Sequence, residues 1–352
     1  MQDTVKNAKS SDTYLDDNRQ WRKRKKQAFA VAKAYDFLGH ENIARDMRIC
    51  GTRLIFDVYA DEHGGAYRRT NEFNYFCRQR QCPLCQMVKS RKAFFSLAPI
   101  YEEHLAKHPN RRAIHLVLTV PNMWGDILEK ELDALKLGIR RFTRCKGFKS
   151  RVHAWYRALE VTWNAKRFDF HPHYHLLLIV DEDYFTPTGK PGSMYLHQSE
   201  WLLLWQRSMN REDIKILHVE RVRMVSDEHG DVEPARILWE MTKYVTKPSS
   251  FIPYNPETRF YECDPEVLYW LHHTLKGRHL TTKGGKFRGV ISENLESVSG
   301  KPDADSFNGE QEPANPNWLA DEVYRWTRHR GGNSGYVLVP SNHPTAKKET
   351  TC

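Results

Sequence analysis

DFHPHYHLLLIV, residues 169–180, places histidines at 171, 173 and 175 immediately before an aliphatic run. Alternation is the period of a strand, so His171, His173 and His175 project to one face if the segment is extended. Leu176 to Val180 are apolar on both faces, which reads as a strand in the middle of a sheet with the histidines near one end. A lone histidine in such a place is usually a satisfied core or loop group. Alternating histidines abutting a buried strand instead offer imidazoles to a divalent metal, as His-x-His on a strand often does.

The preceding residues extend the argument. ALEVTWNAKRFDFHPHYH reads as two strands joined by a polar turn centred near Arg167 and Phe168. Antiparallel pairing about that centre sets Glu160 opposite His175 and Thr162 opposite His173, with cross-strand β-carbons about 4.5–5.5 Å apart. Glu160, His173 and His175 then converge as a mixed nitrogen and oxygen set. Such a set suits Mg or Mn and leaves positions open for a phosphate oxygen, although isolated imidazoles would also take zinc. His171 lies nearer the turn, behind the ligands or in contact with DNA.

A second chemical element lies in ILWEMTKYVTK, within a helix predicted over 233–247 that ends before Pro248. Leu238, Met241 and Val245 form its core stripe, and Glu240, Tyr244 and Lys247 fall on the opposite side. Such a face is ordinarily only solvated. Beside a metal-held phosphodiester, which needs a nucleophile, it offers a tyrosine, a carboxylate and a cation.

The seven cysteines carry a separate message. FCRQRQCPLCQ supplies Cys77, Cys82 and Cys85, and Cys50 lies upstream in RICGTRLIF, before a strand-like segment. Four thiolates at knuckle spacing suit tetrahedral zinc in a closed, structural shell; buried unpaired thiols are the plain alternative. Cys145, Cys263 and Cys352 show no companion spacing. Arg78, Arg80, Lys89, Arg91 and Lys92 surround the knuckle and make it a candidate DNA-contacting surface, or a charged solvated face.

Composition narrows the partner. Lys and Arg number 54 against 44 Asp and Glu, a formal charge of +10, alongside 10 Trp, 16 Tyr and 16 Phe. Cations release counterions from phosphates and aromatic faces stack on unpaired bases, so a nucleic acid is favoured. No apolar run reaches the length needed to cross a bilayer, and the first residues are polar, so the expected location is cytoplasmic with no membrane partner. In that compartment cysteines serve as thiols or metal ligands rather than disulfides.

The remaining chain divides by pattern. Residues 1–48 read as a basic N-terminal helical segment, 49–100 as a zinc-binding module and helix, and 101–290 as the chemical domain. Within the last, AIHLVLTVP and IKILHVERVR read as strands. Leu128, Leu132, Leu135, Ile139 and Phe142 form a helical core stripe, SEWLLLWQRSM reads as a helix, and DPEVLYWLHHTLKG reads as a helix with an Asp cap and a terminal glycine. Residues 291–317 hold six acids and one lysine and read as a flexible linker. In the C-terminal segment 318–352, WLADEVYRWTRHRGG reads as a short helix.

These motifs, taken in order, carry a resemblance. His173-Tyr174-His175 resembles the His-hydrophobe-His motif of HUH endonucleases. CPLCQMVKSRK, HLVLTV, LEVTWN, HPHYHLLLIV, EMTKYVTK and LKGRHLTTKGGKFRG run from about residue 45 to 290 in the order of rolling-circle plasmid replication initiators of the single-tyrosine kind with a nearby glutamate. VTKPSS after the tyrosine departs from that pattern, where a more acidic continuation is expected. The resemblance implies an α+β fold with a five-stranded antiparallel sheet and flanking helices, ferredoxin- or RRM-like, plus a small zinc module with four cysteine ligands. It implies a cation at His173, His175 and Glu160, a Tyr244 nucleophile aided by Glu240 and Lys247, and plasmid origin DNA, duplex and single-stranded, as substrate. A host helicase and polymerase are implied partners. A conjugative relaxase or transposase of the same superfamily would share metal and tyrosine, and a non-enzymatic zinc protein that binds nucleic acid would explain the charge and cysteines alone.

Overall fold

The structure is a computed structural model and describes residues 12–60, 66–70, 74–186, 194–222, 233–242, 248–289, 318–327 and 334–339. Its first elements are α1 (Asp12–Phe37), α2 (Glu41–Ile49), β1 (Arg53–Ala60), β2 (Ala66–Thr70), α3 (Pro83–Lys107), β3 (Arg111–Thr119), α4 (Gly125–Phe142) and α5 (Lys146–Lys149). There follow β4 (Ala154–Asn164), β5 (Asp169–Asp181), α6 (Gln198–Met209), β6 (Leu217–Val222), α7 (Glu233–Thr242) and α8 (Pro248–Phe251). The last are β7 (Tyr254–Asn255), β8 (Phe260–Tyr261), α9 (Pro265–Leu275), β9 (Thr281–Gly285), β10 (Trp318–Thr327) and β11 (Gly335–Val339). The chain divides into two compact units, Met1–Cys85 with Lys301–Cys352, and Gln86–Gly300.

The larger unit is built on a five-stranded antiparallel sheet of order β6-β3-β5-β4-β9. The histidine-bearing β5 is its central strand, and Leu176 to Val180 are all buried. That burial explains the unbroken apolar run: both faces of the strand are covered, so neither needs polar residues. One face carries Ala154, Tyr156, Ala158, Leu177 and Ile179, packed against Leu97, Ile100 and Tyr101 of α3 and Ile237, Leu238 and Met241 of α7. The predicted α4 stripe is buried throughout, from Leu128 to Phe142, and α4 packs on β5, α6 and α9. Trp201 and Trp205 of α6 meet Phe142 with ring centroids 5.9 and 5.7 Å away.

The α9 reading holds in detail: the Asp264 carboxylate accepts the Glu266 N–H, Pro265 opens the helix, and Gly277 follows with φ +71°. Strand β9, in the TTKGG stretch, seals the sheet edge beside β4. There Gly284 lies opposite Trp155, and any β-carbon on it would stand 2.1 Å from the indole, so only glycine lets the strands approach.

The smaller unit has a four-stranded antiparallel sheet, β11-β10-β1-β2. Leu54, Phe56 and Val58 of β1 are buried with Tyr324, Trp326 and Tyr336, and Trp21 of α1 packs edge-on to Phe56 at 5.7 Å. The segment after residue 318 is therefore a strand, not the expected short helix. Its Tyr324 and Trp326 alternate into this core, and pairing with β1, Arg53 to Arg325 through Val58 to Ala320, overrides a composition that favours helix. The expected linker at 291–317 lies outside the described residues. Among the described residues no helix is long and apolar enough to cross a membrane.

Candidate metal centre and sulfur cluster

The β4–β5 hairpin brings Glu160, His173 and His175 together, in a register two residues from the expected one. Glu160 pairs with His173, Thr162 with His171, and Ala158 with His175. The loop explains the difference. Asn164 Oδ1 accepts the N–H groups of Lys166 and Arg167, its carbonyl accepts that of Phe168, and Phe168 takes a left-handed conformation at φ 55°. A left-handed phenylalanine is not a pattern that turn chemistry predicts, since glycine or asparagine normally fills such a position. A shift of two residues keeps every side chain on its face, so the ligand set survives the correction.

Glu160 Oε2 lies 3.1 Å from His173 Nε2 and 3.0 Å from His175 Nε2, and the two Nε2 atoms are 3.1 Å apart. Both imidazoles are nearly buried. Burial alone would raise the Glu160 carboxyl, but the hydrogen bonds and charges of His173 and His175 outweigh it and hold the group down at about 2. Two nitrogens and an ionised oxygen converging on one point form a set that could hold a divalent cation. His171 stands next to this group, its ring stacked on His173 at 4.9 Å and its pKa lowered to about 4 by burial and then by His173.

Two residues that the sequence reading passed over reach the same point. His175 Nδ1 is 3.2 Å from His115 Nε2 on β3, and His115 Nδ1 is 2.8 Å from Glu220 Oε1 on β6. The His115 and His175 rings lie nearly parallel, with 6° between planes. Burial lowers the His115 pKa despite the pull of Glu220. A single histidine within AIHLVLTV looks like a core residue, and only strand pairing reveals its neighbours.

On the same sheet face, Ala158 and Tyr156 adjoin Glu160 and carry the contacts with α7. Glu240 of α7 is half-buried, and Ser90 of α3 donates to the Thr242 carbonyl at 2.6 Å, which anchors that helix at its last described residue. The described part of the predicted helix ends at Thr242; Tyr244 and Lys247 lie outside the described residues.

In the smaller unit the sulfurs of Cys50, Cys77, Cys82 and Cys85 all lie within 4.8 Å of one another. Individual contacts are 3.6 Å from Cys85 to both Cys50 and Cys77, and 3.7 Å from Cys82 to Cys50. Cys82 is driven up by burial and by its sulfur neighbours, and Cys85 chiefly by those neighbours, while hydrogen bonds from the other thiols favour the Cys50 thiolate. Thiols so crowded cannot all ionise unless a cation joins them, and the donor set fits an ion that takes four sulfur ligands in a tetrahedron. The wholly buried Lys25 braces the loop, with Nζ donating to the carbonyls of Arg48 and Cys50 at 2.7 and 2.5 Å. Tyr336 of β11 donates to the Gly51 carbonyl at 2.5 Å.

Of the basic residues near the knuckle, Arg78 and Arg80 lie between Cys77 and Cys82, while Lys89, Arg91 and Lys92 follow on α3. Arg78, Lys89 and Lys92 are exposed or partly so, and Arg80 and Arg91 half-buried.

Fold and site together define a two-unit protein with a candidate cation centre on an antiparallel sheet and a four-sulfur cluster in the other unit. The chain belongs to the Rep_1 replication protein family, whose match spans residues 68–337, in agreement with the resemblance to rolling-circle initiators. It is 28% identical over 303 residues to Protein rep of Bacillus amyloliquefaciens, covering 80% of this chain and 84% of that one. Protein rep of Streptococcus pneumoniae is 29% identical over 232 residues, covering 66% of this chain and 68% of the relative. Protein rep of Staphylococcus aureus is 31% identical over 176 residues, covering 50% of this chain and 71% of the relative. No solved structure matches the chain.

Proposed function

We propose that the protein initiates rolling-circle replication of a plasmid by nicking one strand at the double-strand origin. One observation carries the reading: Glu160, His173 and His175 converge on the sheet face against which α7 packs, and Tyr244 follows the end of α7 by two residues. The trio suits Mg or Mn, which when bound would place positive charge on a phosphate oxygen. Tyr244 Oη attacks the phosphorus, its new bond forming as the bond to the 3′-oxygen breaks. The phenolic proton is lost and the departing 3′-oxygen takes one up. The products are a 5′-phosphotyrosine and a free 3′-hydroxyl that primes a host polymerase. One phosphodiester replaces another, so no nucleotide is hydrolysed. Lys247 stabilises the developing oxyanion. Glu240 activates the water or hydroxyl that releases the adduct when the round ends.

In this reading the four cysteines hold a structural zinc, and Arg78, Arg80, Lys89, Arg91, Lys92 and His171 contact origin DNA, duplex before the nick and single-stranded after it. A host helicase would open the strand behind the nick. The test is incubation with supercoiled plasmid bearing the cognate origin, with Mg or Mn. The expected products are nicked or relaxed circles with protein joined to the 5′ end; Tyr244→Phe should give neither, while Glu240→Ala should form the adduct and fail to release it. No nicking by the wild type in either metal would overturn the reading. An adduct formed by Tyr244→Phe would remove that residue as the nucleophile.

A further inference from the structure

The two imidazoles of the trio are anchored differently. His173 Nδ1 donates to the backbone carbonyl of His171 at 3.1 Å, which leaves Nε2, the nitrogen beside Glu160, as the one a cation can take. Among the described residues no carbonyl holds His175 in this way; its Nδ1 faces another imidazole, His115 Nε2, at 3.2 Å. Two imidazoles in contact can share a proton in either direction, and one direction would place hydrogen on His175 Nε2, blocking that nitrogen as a ligand. Glu220 breaks the symmetry. Its carboxylate lies 2.8 Å from His115 Nδ1 and can only accept, so the proton of neutral His115 sits on Nδ1. His115 Nε2 must then accept from His175 Nδ1–H, which leaves Nε2 as the His175 nitrogen that a cation takes when it replaces the contact with Glu160.

We propose that Glu220 and His115 form a positioning relay that fixes the tautomer and ring orientation of His175 for cation binding. The proposal rests on the reading of Glu160, His173 and His175 as a cation site. Three strands of one sheet, β6, β3 and β5, carry the relay in sequence, and its inner member is buried. At the outer end Glu220 is 39% exposed and also 3.5 Å from His218 Nε2, so its replacement on an edge strand is tolerable to the fold.

Calorimetric titration of Mn2+ into the full chain tests this without any DNA. Glu220→Ala and His115→Phe should each weaken Mn2+ binding by about 10- to 100-fold, and Glu220→Gln, whose amide oxygen still accepts, should restore much of the loss. Because Glu220 acts through His115, the double variant should bind no worse than His115→Phe alone. Should His115→Phe misfold, Glu220→Ala and Glu220→Gln still decide the matter. Wild-type binding with unchanged affinity in Glu220→Ala, or additive losses in the double variant, would overturn the relay alone. Absence of Mn2+ binding by the wild type would overturn the cation site and the relay with it.

Discussion

Two clusters of candidate ligands lie among the described residues, and they are assembled by opposite means. Glu160, His173 and His175 come from one hairpin, and eleven residue pairs of β4 and β5 fix their spacing before any ion arrives. The sulfurs come from the ends of α2 and α3 and the irregular stretch between them, beyond the ladder of the unit's sheet. A site preset by backbone pairing loses little of its fold when emptied. A site drawn from loops depends on its ion, because bringing four thiols together is unfavourable until they share a cation. Nitrogen and oxygen donors with open positions suit chemistry, and a closed sulfur shell suits structure.

The largest effect is therefore expected in the sulfur cluster. Metal analysis should find about one zinc per chain, lost in Cys82→Ser, and structural zinc sites of this kind supply on the order of 10 kcal/mol of folding free energy. Hydrogen exchange of β1 and β10 amides should accelerate strongly in that variant. Wild-type protein that is folded and free of zinc, with exchange matching Cys82→Ser, would break the contrast. The largest effect on function is expected from His173→Ala. Its stability should fall by no more than about 2 kcal/mol, since the ladder remains, while nicking of origin plasmid should fall by at least about a hundredfold. A loss of stability exceeding that of Cys82→Ser would reverse the ordering and defeat the comparison.

What could be read from the sequence follows the same division. The strand carrying His173 and His175, its central place, and the shared face with Glu160 were legible because a period of two is local. The register was not, because it depends on a left-handed Phe168 that no turn signature marks. The strand at 318–327 was hidden for a different reason: its partner β1 lies more than 250 residues earlier in the chain, and WLADEVYRW taken alone has the residues of a helix. His115 and Glu220 sit on strands a hundred residues apart, so neither announces the other. The four cysteines were readable because spacing itself is their signal.

A smaller effect sharpens the contrast from the sulfur side. Lys25 is buried with its ammonium on the carbonyls of Arg48 and Cys50 and 3.2 Å from Thr52 Oγ1. It is a protein-supplied cation that steadies the Cys50 loop from behind. Lys25→Met fills similar volume but leaves two carbonyls without that donor, at a cost of about 1–3 kcal/mol. Denaturant titration should show that loss, and zinc should exchange faster with a chelator. Unchanged stability and exchange would mean that the thiolates and their ion position the loop unaided.

The smallest expected effect tests the preset hairpin. Phe168 closes the loop between β4 and β5 in the left-handed region, a conformation that costs an L-residue about 1–2 kcal/mol and asparagine less. Its ring meets Trp163 edge-on at 6.2 Å, but it is 63% exposed, so little packing is lost on replacement. Phe168→Asn should therefore raise stability by up to about 1 kcal/mol. Mn2+ affinity should not change, because the relief comes from the backbone and leaves Glu160 opposite His173. If the variant is instead less stable and binds Mn2+ more weakly, the ring's contact with Trp163 is what holds the register. The hairpin would then be preset by a side-chain contact at its tip, and the distance from Phe168 to the ligands would no longer insulate them from changes in the loop.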